Sequence, residues 1–141
     1  MKKLIIASAF CLLMVAIIAV PAMAAAAKLD LAPAPNHPDY PGSGFAVINS
    51  SSGPNNMELT VSLKGAAADT TYEVWLENNG QPTFGPPVGT FTTNGQGNGN
   101  FHINMYMVPG TYNLGIDVAI GGGDQYLTSN VYGAPIFKTF K

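Results

Sequence analysis

Apolar and polar residues alternate along most of this chain, and this period of two restricts its fold more than any other feature. Met57, Leu59, Val61 and Leu63 are each followed by a polar residue, so that one side of an extended segment is apolar and the other polar. No window of ten residues shows the helical period of 3.6. The same reading applies to seven further segments, which are 45–48, 72–77, 88–93, 101–107, 112–120, 126–131 and 136–140.

Turn-forming residues separate these segments. Glycine and asparagine supply the positive φ angles that tight hairpin turns need. They recur at 52–55, 78–80, 94–95, 109–110 and 121–124. The sequence therefore predicts an all-β domain, a two-sheet antiparallel β-sandwich of about seven or eight strands, with a closed barrel as the alternative.

The first 24 residues have the composition of a cleaved signal peptide. Two lysines precede an uncharged apolar run over residues 4–20, and Ala22 and Ala24 fit a small-residue cleavage site. A retained membrane anchor is the alternative, because a run of this length just reaches across a bilayer. Residues 25–44 are rich in proline and predict a linker or a strap along a sheet edge, which leaves 45–141 as the β-sandwich domain. We expect a secreted or cell-envelope protein.

Removal of the leader changes the charge and the cysteine content. Four lysines and no arginine then face eight acidic residues, a net charge of −4. Nucleic-acid binding needs clustered basic residues, so we expect no such partner. The single cysteine, Cys11, lies within the leader, and the mature domain must fold without disulfides. Cysteine-free export favours a prokaryotic source.

Two segments carry a resemblance to known domains. Residues 69–76 and 108–114 each place Thr-Tyr at the start of an alternating strand after a loop. They resemble the corners of immunoglobulin-like and fibronectin-III-like domains, and 89–101 is similar to a hairpin of exported prokaryotic β-sandwich domains. The resemblance implies that a corner tyrosine bonds back to the loop backbone. It covers about residues 45–131, lacks the immunoglobulin cysteine pair, and carries over no functional residue.

Outward aromatic residues are the main candidates for a ligand site. Trp75 shares the polar face of its strand with Glu73 and Glu77, and Tyr106 shares a face with Asn104. Exposed aromatic rings beside amides and carboxylates are typical of modules that stack on sugar rings. The alternatives are that the linker or the C-terminal segment covers Trp75, or that an inverted register makes it a core residue. Solvation is the ordinary explanation of the two glutamates.

Metal binding has only weak candidates. His37, Asp39 and His102 with one further acid could form a site only if the linker packs across the strand that bears His102. Residues 94–99 have the spacing of a calcium loop but carry neutral amides, and Met105 stands where the bidentate acid belongs. A hairpin turn is the favoured interpretation there. We expect no cofactor.

No catalytic motif is present in the sequence. There is no Gly-x-Ser-x-Gly, and no histidine stands near a Ser-Asp pair. We therefore expect a non-enzymatic exported module with a structural or surface-interaction role. The alternative is a carbohydrate- or other ligand-binding module that uses the outward aromatics. Its partners would be cell-envelope components, glycans or copies of itself. The β-prone segment 135–141 either closes its own sandwich or pairs with another copy.

Overall fold

The computed structural model describes residues 26–82, 84–122, 124–129 and 136–141, and the predicted signal peptide lies outside them. Within these ranges the chain is all-β, with antiparallel strands and no helix, as the period of two predicts. No described segment is therefore an apolar helix of membrane-spanning length. The strands are β1 (Ala27–Pro33), β2 (Ser43–Ser50), β3 (Met57–Lys64), β4 (Thr71–Asn78), β5 (Gly89–Thr92), β6 (Gly99–Met105), β7 (Gly110–Ile120), β8 (Asp124–Thr128) and β9 (Ile136–Phe140).

One continuous path of strand pairing joins eight of these strands. The order is β5-β4-β7-β8-β1-β2-β3-β6, and β9 pairs with β7. The two end strands, β5 and β6, lie against each other through Phe91 and Phe101, whose ring centroids are 6.3 Å apart. The sheet thus curls into a nearly closed barrel rather than two clearly separate sheets. The reason is β1, which pairs with β2 over Ala27–Leu31 and with β8 at Ala32 and Pro33.

The core follows the alternation of the sequence. On β3, Met57, Leu59, Val61 and Leu63 are buried, and the polar residues between them are half-buried. On β4 the buried positions include Tyr72, Val74 and Leu76, which leaves the intervening residues on the outer face. Each fully buried aliphatic side chain of this kind contributes about 1.5–3 kcal/mol, which identifies this interior as the main source of stability.

The proline-rich stretch is not only a linker. Residues 25–44 are predicted as a linker or a strap along a sheet edge, but residues 27–33 form β1, with Leu29 and Leu31 buried in the core. The same period of two is present there, because Leu29 and Leu31 alternate with charged residues. Part of the remainder packs on β8, where the Ala34 amide donates to the Tyr126 carbonyl oxygen at 2.9 Å. The packed domain thus begins at β1 and not at Phe45.

Side chains close the corners between strands. The Tyr112 hydroxyl donates to the Val108 carbonyl oxygen at 2.8 Å, from the start of β7 back to the preceding loop. At the β5–β6 turn, the Asn94 side-chain oxygen accepts hydrogen bonds from the amides of Gln96 and Asn98, both at 3.0 Å. That oxygen is used within the turn, so the hairpin interpretation of residues 94–99 is the one that fits.

A buried asparagine ties the far end of the domain together. Asn56 is 1% exposed, and its side chain exchanges two hydrogen bonds with the backbone of Met107, at 2.7 and 2.8 Å. The same amide donates to the Lys141 carbonyl oxygen at 3.1 Å. This amide anchors the loop after β6 and the end of the chain. β9 itself pairs with β7 along residues 136–140, within its own sheet.

Candidate functional site

The outer face of β4 and β7 carries an unusual group of polar side chains. The two strands pair so that Trp75 lies opposite Asp117 and Glu77 opposite Gly115. Since Val74 and Leu76 point into the core, these residues belong to the outer face. Gly115, opposite Glu77, has no side chain and is itself buried.

Two carboxyl groups on this face are buried. Glu77 is 2% exposed and Asp117 is 1% exposed, although an outer sheet face normally meets water. They lie at the floor of a cavity of about 130 Å³ whose other lining residues are Trp75, Pro82 and Gln125. Pro82 comes from the loop after β4, which an Asn78–Gln81 backbone pair turns back. The indole and Pro82 thus lie beside the two acids in this cavity.

A β-bulge brings Gln125 to the cavity. Along β7 and β8 the register pairs Val118 with Leu127 and then Ala119 with Gln125, so Tyr126 is the extra residue. With regular pairing, Gln125 would lie opposite Ile120 and face the other side of the sheet. The bulge therefore turns the Gln125 amide towards the outer face.

The amide of Gln125 bridges the two acids. Its Nε2 donates to Asp117 Oδ2 and, at 3.5 Å, to Glu77 Oε1. The other oxygen of Asp117, Oδ1, is buried and has no hydrogen-bond partner among the described residues. Beside this pair, the Trp75 indole N–H donates to Glu73 Oε2 at 3.2 Å, which holds the ring in place. Thr128 and Gln125 both bond the Asp117 carboxyl, so Oδ1 is the one oxygen of that group left without a donor among the described residues.

Burial and proximity change the protonation of Asp117. Burial is the largest cause, and together with the Glu77 carboxyl it raises the pKa of Asp117 to about 8, against the opposing effect of Thr128 and Gln125. Two carboxyl groups in contact cannot both ionise easily. At neutral pH Asp117 therefore keeps its proton most of the time.

The structure brings together only part of the group of residues predicted as a ligand site. Trp75, Glu73 and Glu77 share one face as expected, but solvation does not explain Glu77, which is buried. Tyr106 is 57% exposed and Asn104 is exposed, and both belong to β6 or its end, whose pairing partner is β3. These two residues therefore lie away from the cavity.

Two polar residues of the cavity, and Pro82 beside them, are not among those the sequence singled out. Asp117 is a lone charge inside the longest apolar run, 112–120, and this is a signal that could have identified it. Gln125 offers no such signal, because only the bulge between β7 and β8 gives it its orientation.

The two histidines have separate partners. His37 Nε2 lies 3.1 Å from Asp124 Oδ2, and its ring stacks on Tyr126 at a centroid distance of 4.3 Å. His102 Nδ1 lies 3.2 Å from Thr60 Oγ1 on the other part of the sheet. The proline-rich segment packs on β8 and not across β6, so it does not bring His37 to His102. In the described part of the chain, no three His, Cys, Asp or Glu side chains are grouped so that they could hold a metal ion.

Comparison with known proteins adds no relative to this picture. No family model matches the chain, and neither the curated proteins nor the solved structures include a match. The interpretation of the cavity therefore depends on its own geometry.

Proposed function

We propose that this chain is an exported, non-enzymatic module that binds a small polar ligand, a carbohydrate, in the cavity beside Trp75. The observation that carries the proposal is the juxtaposition of a half-buried indole with a buried acid pair on an outer sheet face. Ligand sites combine an apolar or aromatic wall with a few fixed polar groups, and this cavity has both.

The chemistry of the cavity suits a sugar. The apolar face of a pyranose ring packs on an aromatic side chain, and its hydroxyl groups donate to carboxylate and amide oxygens. Trp75 supplies the ring, and Glu77, Asp117 and Gln125 supply the oxygens. The hydrogen bond from Trp75 to Glu73 fixes the orientation of the indole before a ligand arrives. A preorganised wall of this kind lowers the entropy cost of binding.

We further propose that the domain is an immunoglobulin-like β-sandwich. The pairs β3–β6 and β4–β7 support this, because they interlock strands three apart in the chain, as Greek-key sandwiches do. The hydrogen bond from Tyr112 to the Val108 carbonyl supports it as well, since corner tyrosines of such domains bond in this way. In this description β1 switches between two sheets. The composition of residues 1–24 supports secretion, which would expose the module to glycans of the cell envelope or the medium.

A second candidate function is surface interaction through the sheet without a small ligand. Three large apolar side chains support it, because they are well exposed on the described surface: Tyr106, Val108 and Phe137. Exposed apolar residues mark contact surfaces when they form a patch. Envelope components or further copies of the chain would be the partners.

A matched pair of variants separates the two functions. Trp75→Ala removes the cavity wall, whereas Tyr106→Ala removes an aromatic ring away from it. On a glycan array followed by calorimetry, Trp75→Ala should weaken binding about tenfold, because one aromatic face contributes about 1–1.5 kcal/mol. Tyr106→Ala should bind as the wild type does. Trp75→Phe keeps a ring and serves as a second variant if the alanine variant unfolds. Loss of binding in Tyr106→Ala alone would favour the surface-interaction function instead.

A further inference from the structure

One acid oxygen in the Trp75 cavity has no hydrogen-bond donor, although Gln125 and Thr128 both bond the same carboxyl group. Asp117 Oδ1 is buried and unpartnered among the described residues, and the side chain of Asp117 is 1% exposed. The Gln125 amide already donates to the other oxygen of Asp117 and to Glu77. A buried acceptor without a donor lowers stability. A ligand whose donor reaches Oδ1 therefore adds a hydrogen bond that the free protein lacks.

The charge of the site favours a cationic donor over a neutral one. None of the residues that line the cavity is basic, and two of them are acids. Glu73, a third acid, lies next to the wall through its bond to Trp75. The face of an indole also attracts cations through its ring electrons. The acid floor and the aromatic wall thus converge on a positively charged group.

We infer that the group which enters this cavity is a protonated amine whose N–H donates a hydrogen bond to Asp117 Oδ1. The ligand is then an amino sugar or a glycan that contains one. This inference rests on the proposed function and specifies its ligand class. The ammonium group favours the ionised form of the Asp117 carboxyl, so the proton that Asp117 holds leaves to solvent as the amine binds. No covalent bond forms or breaks.

Other titratable groups near Asp117 are few. On β4 they are Glu73 and Glu77, and on β8 they are Asp124 and Tyr126. Of these groups, only Glu77 raises the pKa of Asp117 together with burial. Asp124 instead contacts His37 of the proline-rich segment. Loop residues 79–82 carry no titratable group. The proton that is released therefore belongs to the acid pair.

Calorimetry with matched oligosaccharides tests the inference. The probes are a glucosamine oligomer, the N-acetylglucosamine oligomer of equal length, and an aminoalkyl compound without a sugar ring. At pH 8, where Asp117 is about half ionised, the glucosamine oligomer should bind tenfold to a hundredfold more tightly than its acetylated form, as a charge-assisted hydrogen bond predicts. Titrations in two buffers of different ionisation enthalpy should show the release of about one proton per amine bound near pH 6.

Two variants assign the effect to Asp117. Asp117→Asn keeps the shape of the side chain and should abolish both the preference for the amine and the proton release, because an amide neither titrates nor carries charge. Glu58→Gln makes the same type of change on β3, away from the cavity, and should retain both.

The outcomes separate the inference from the proposed function. Equal affinity for the free and acetylated oligomers would overturn the amine inference and leave carbohydrate binding in place. Amine-dependent binding of the aminoalkyl compound alone, without gain from a sugar ring, would overturn the carbohydrate proposal and the amino-sugar assignment, and would support only an amine at Asp117. If none of the three probes binds, both are wrong.

Discussion

Replacing Asp117 by asparagine should change how the stability of the domain depends on pH. Burial and Glu77 raise the pKa of Asp117 to about 8 in the folded protein, whereas an aspartate of an unfolded chain titrates near 3.9. Between about pH 4 and pH 8 the folded protein thus holds a proton that the unfolded chain has lost. The stability that this group contributes is fully present below pH 4 and decreases as the pH rises towards 8.

The expected magnitude follows from the number of protons. One proton corresponds to about 1.4 kcal/mol per pH unit, so this group alone should lower the free energy of unfolding by about 2.7 kcal/mol between pH 5 and 7. Asparagine has the same shape and no titrating group, and its amide can donate to Glu77. Between pH 5 and 7, the free energy of unfolding of Asp117→Asn should therefore rise by about 2.7 kcal/mol relative to that of the wild type. Effects of the two histidines cancel in the difference, because both proteins contain them.

Urea denaturation at pH 5, 6 and 7 measures this difference. The single tryptophan, Trp75, lies against the cavity and reports unfolding by its fluorescence. Glu73→Gln, which removes a half-buried carboxylate from the same face of β4, should follow the wild-type curve. If the free energies of wild type and Asp117→Asn stay parallel within about 0.5 kcal/mol from pH 5 to 7, the account of a shared proton at Asp117 is refuted.

Two further variants test side-chain hydrogen bonds at the ends of the domain. Asn56→Ala leaves the amide of Met107 without its acceptor and should lower the free energy of unfolding by about 1–3 kcal/mol. Asn55→Ala, at the exposed neighbouring position, should change it little. Equal effects of the two variants in urea titrations would contradict the role of Asn56. Tyr112→Phe removes the corner hydrogen bond and should cost about 0.5–1.5 kcal/mol. Tyr106→Phe is its control, and a thermal melt of Tyr112→Phe that coincides with this control would argue against the corner bond.

Local patterns in the sequence predict the strands well. The alternation from Met57 to Leu63 corresponds to β3, Met57–Lys64, and the turn signals fall between strands. The outward position of Trp75 follows from the burial of Val74 and Leu76 on either side of it. These features depend on neighbouring residues alone, which is why a single sequence contains them.

The remaining features depend on residues far apart in the chain. Glu77 shares its cavity with Asp117 on a paired strand and Pro82 on a returning loop. The residues next to Glu77 in the sequence do not predict either contact. The orientation of Gln125 depends on one extra residue in β8. Strand β1 is not predicted because proline dominates the composition around it, although Leu29 and Leu31 keep the period of two.

The double pairing of β1 has a consequence for how the domain folds. This first strand pairs with β2, its neighbour in sequence, but also with β8, close to the other end of the described chain. A contact of such large sequence separation has a high loop-closure entropy and forms late. Until β8 has been synthesised, β1 has an open edge, which is a site of mispairing between chains. The slow step of folding, and the interval in which aggregation competes with it, should therefore be the meeting of these two strands.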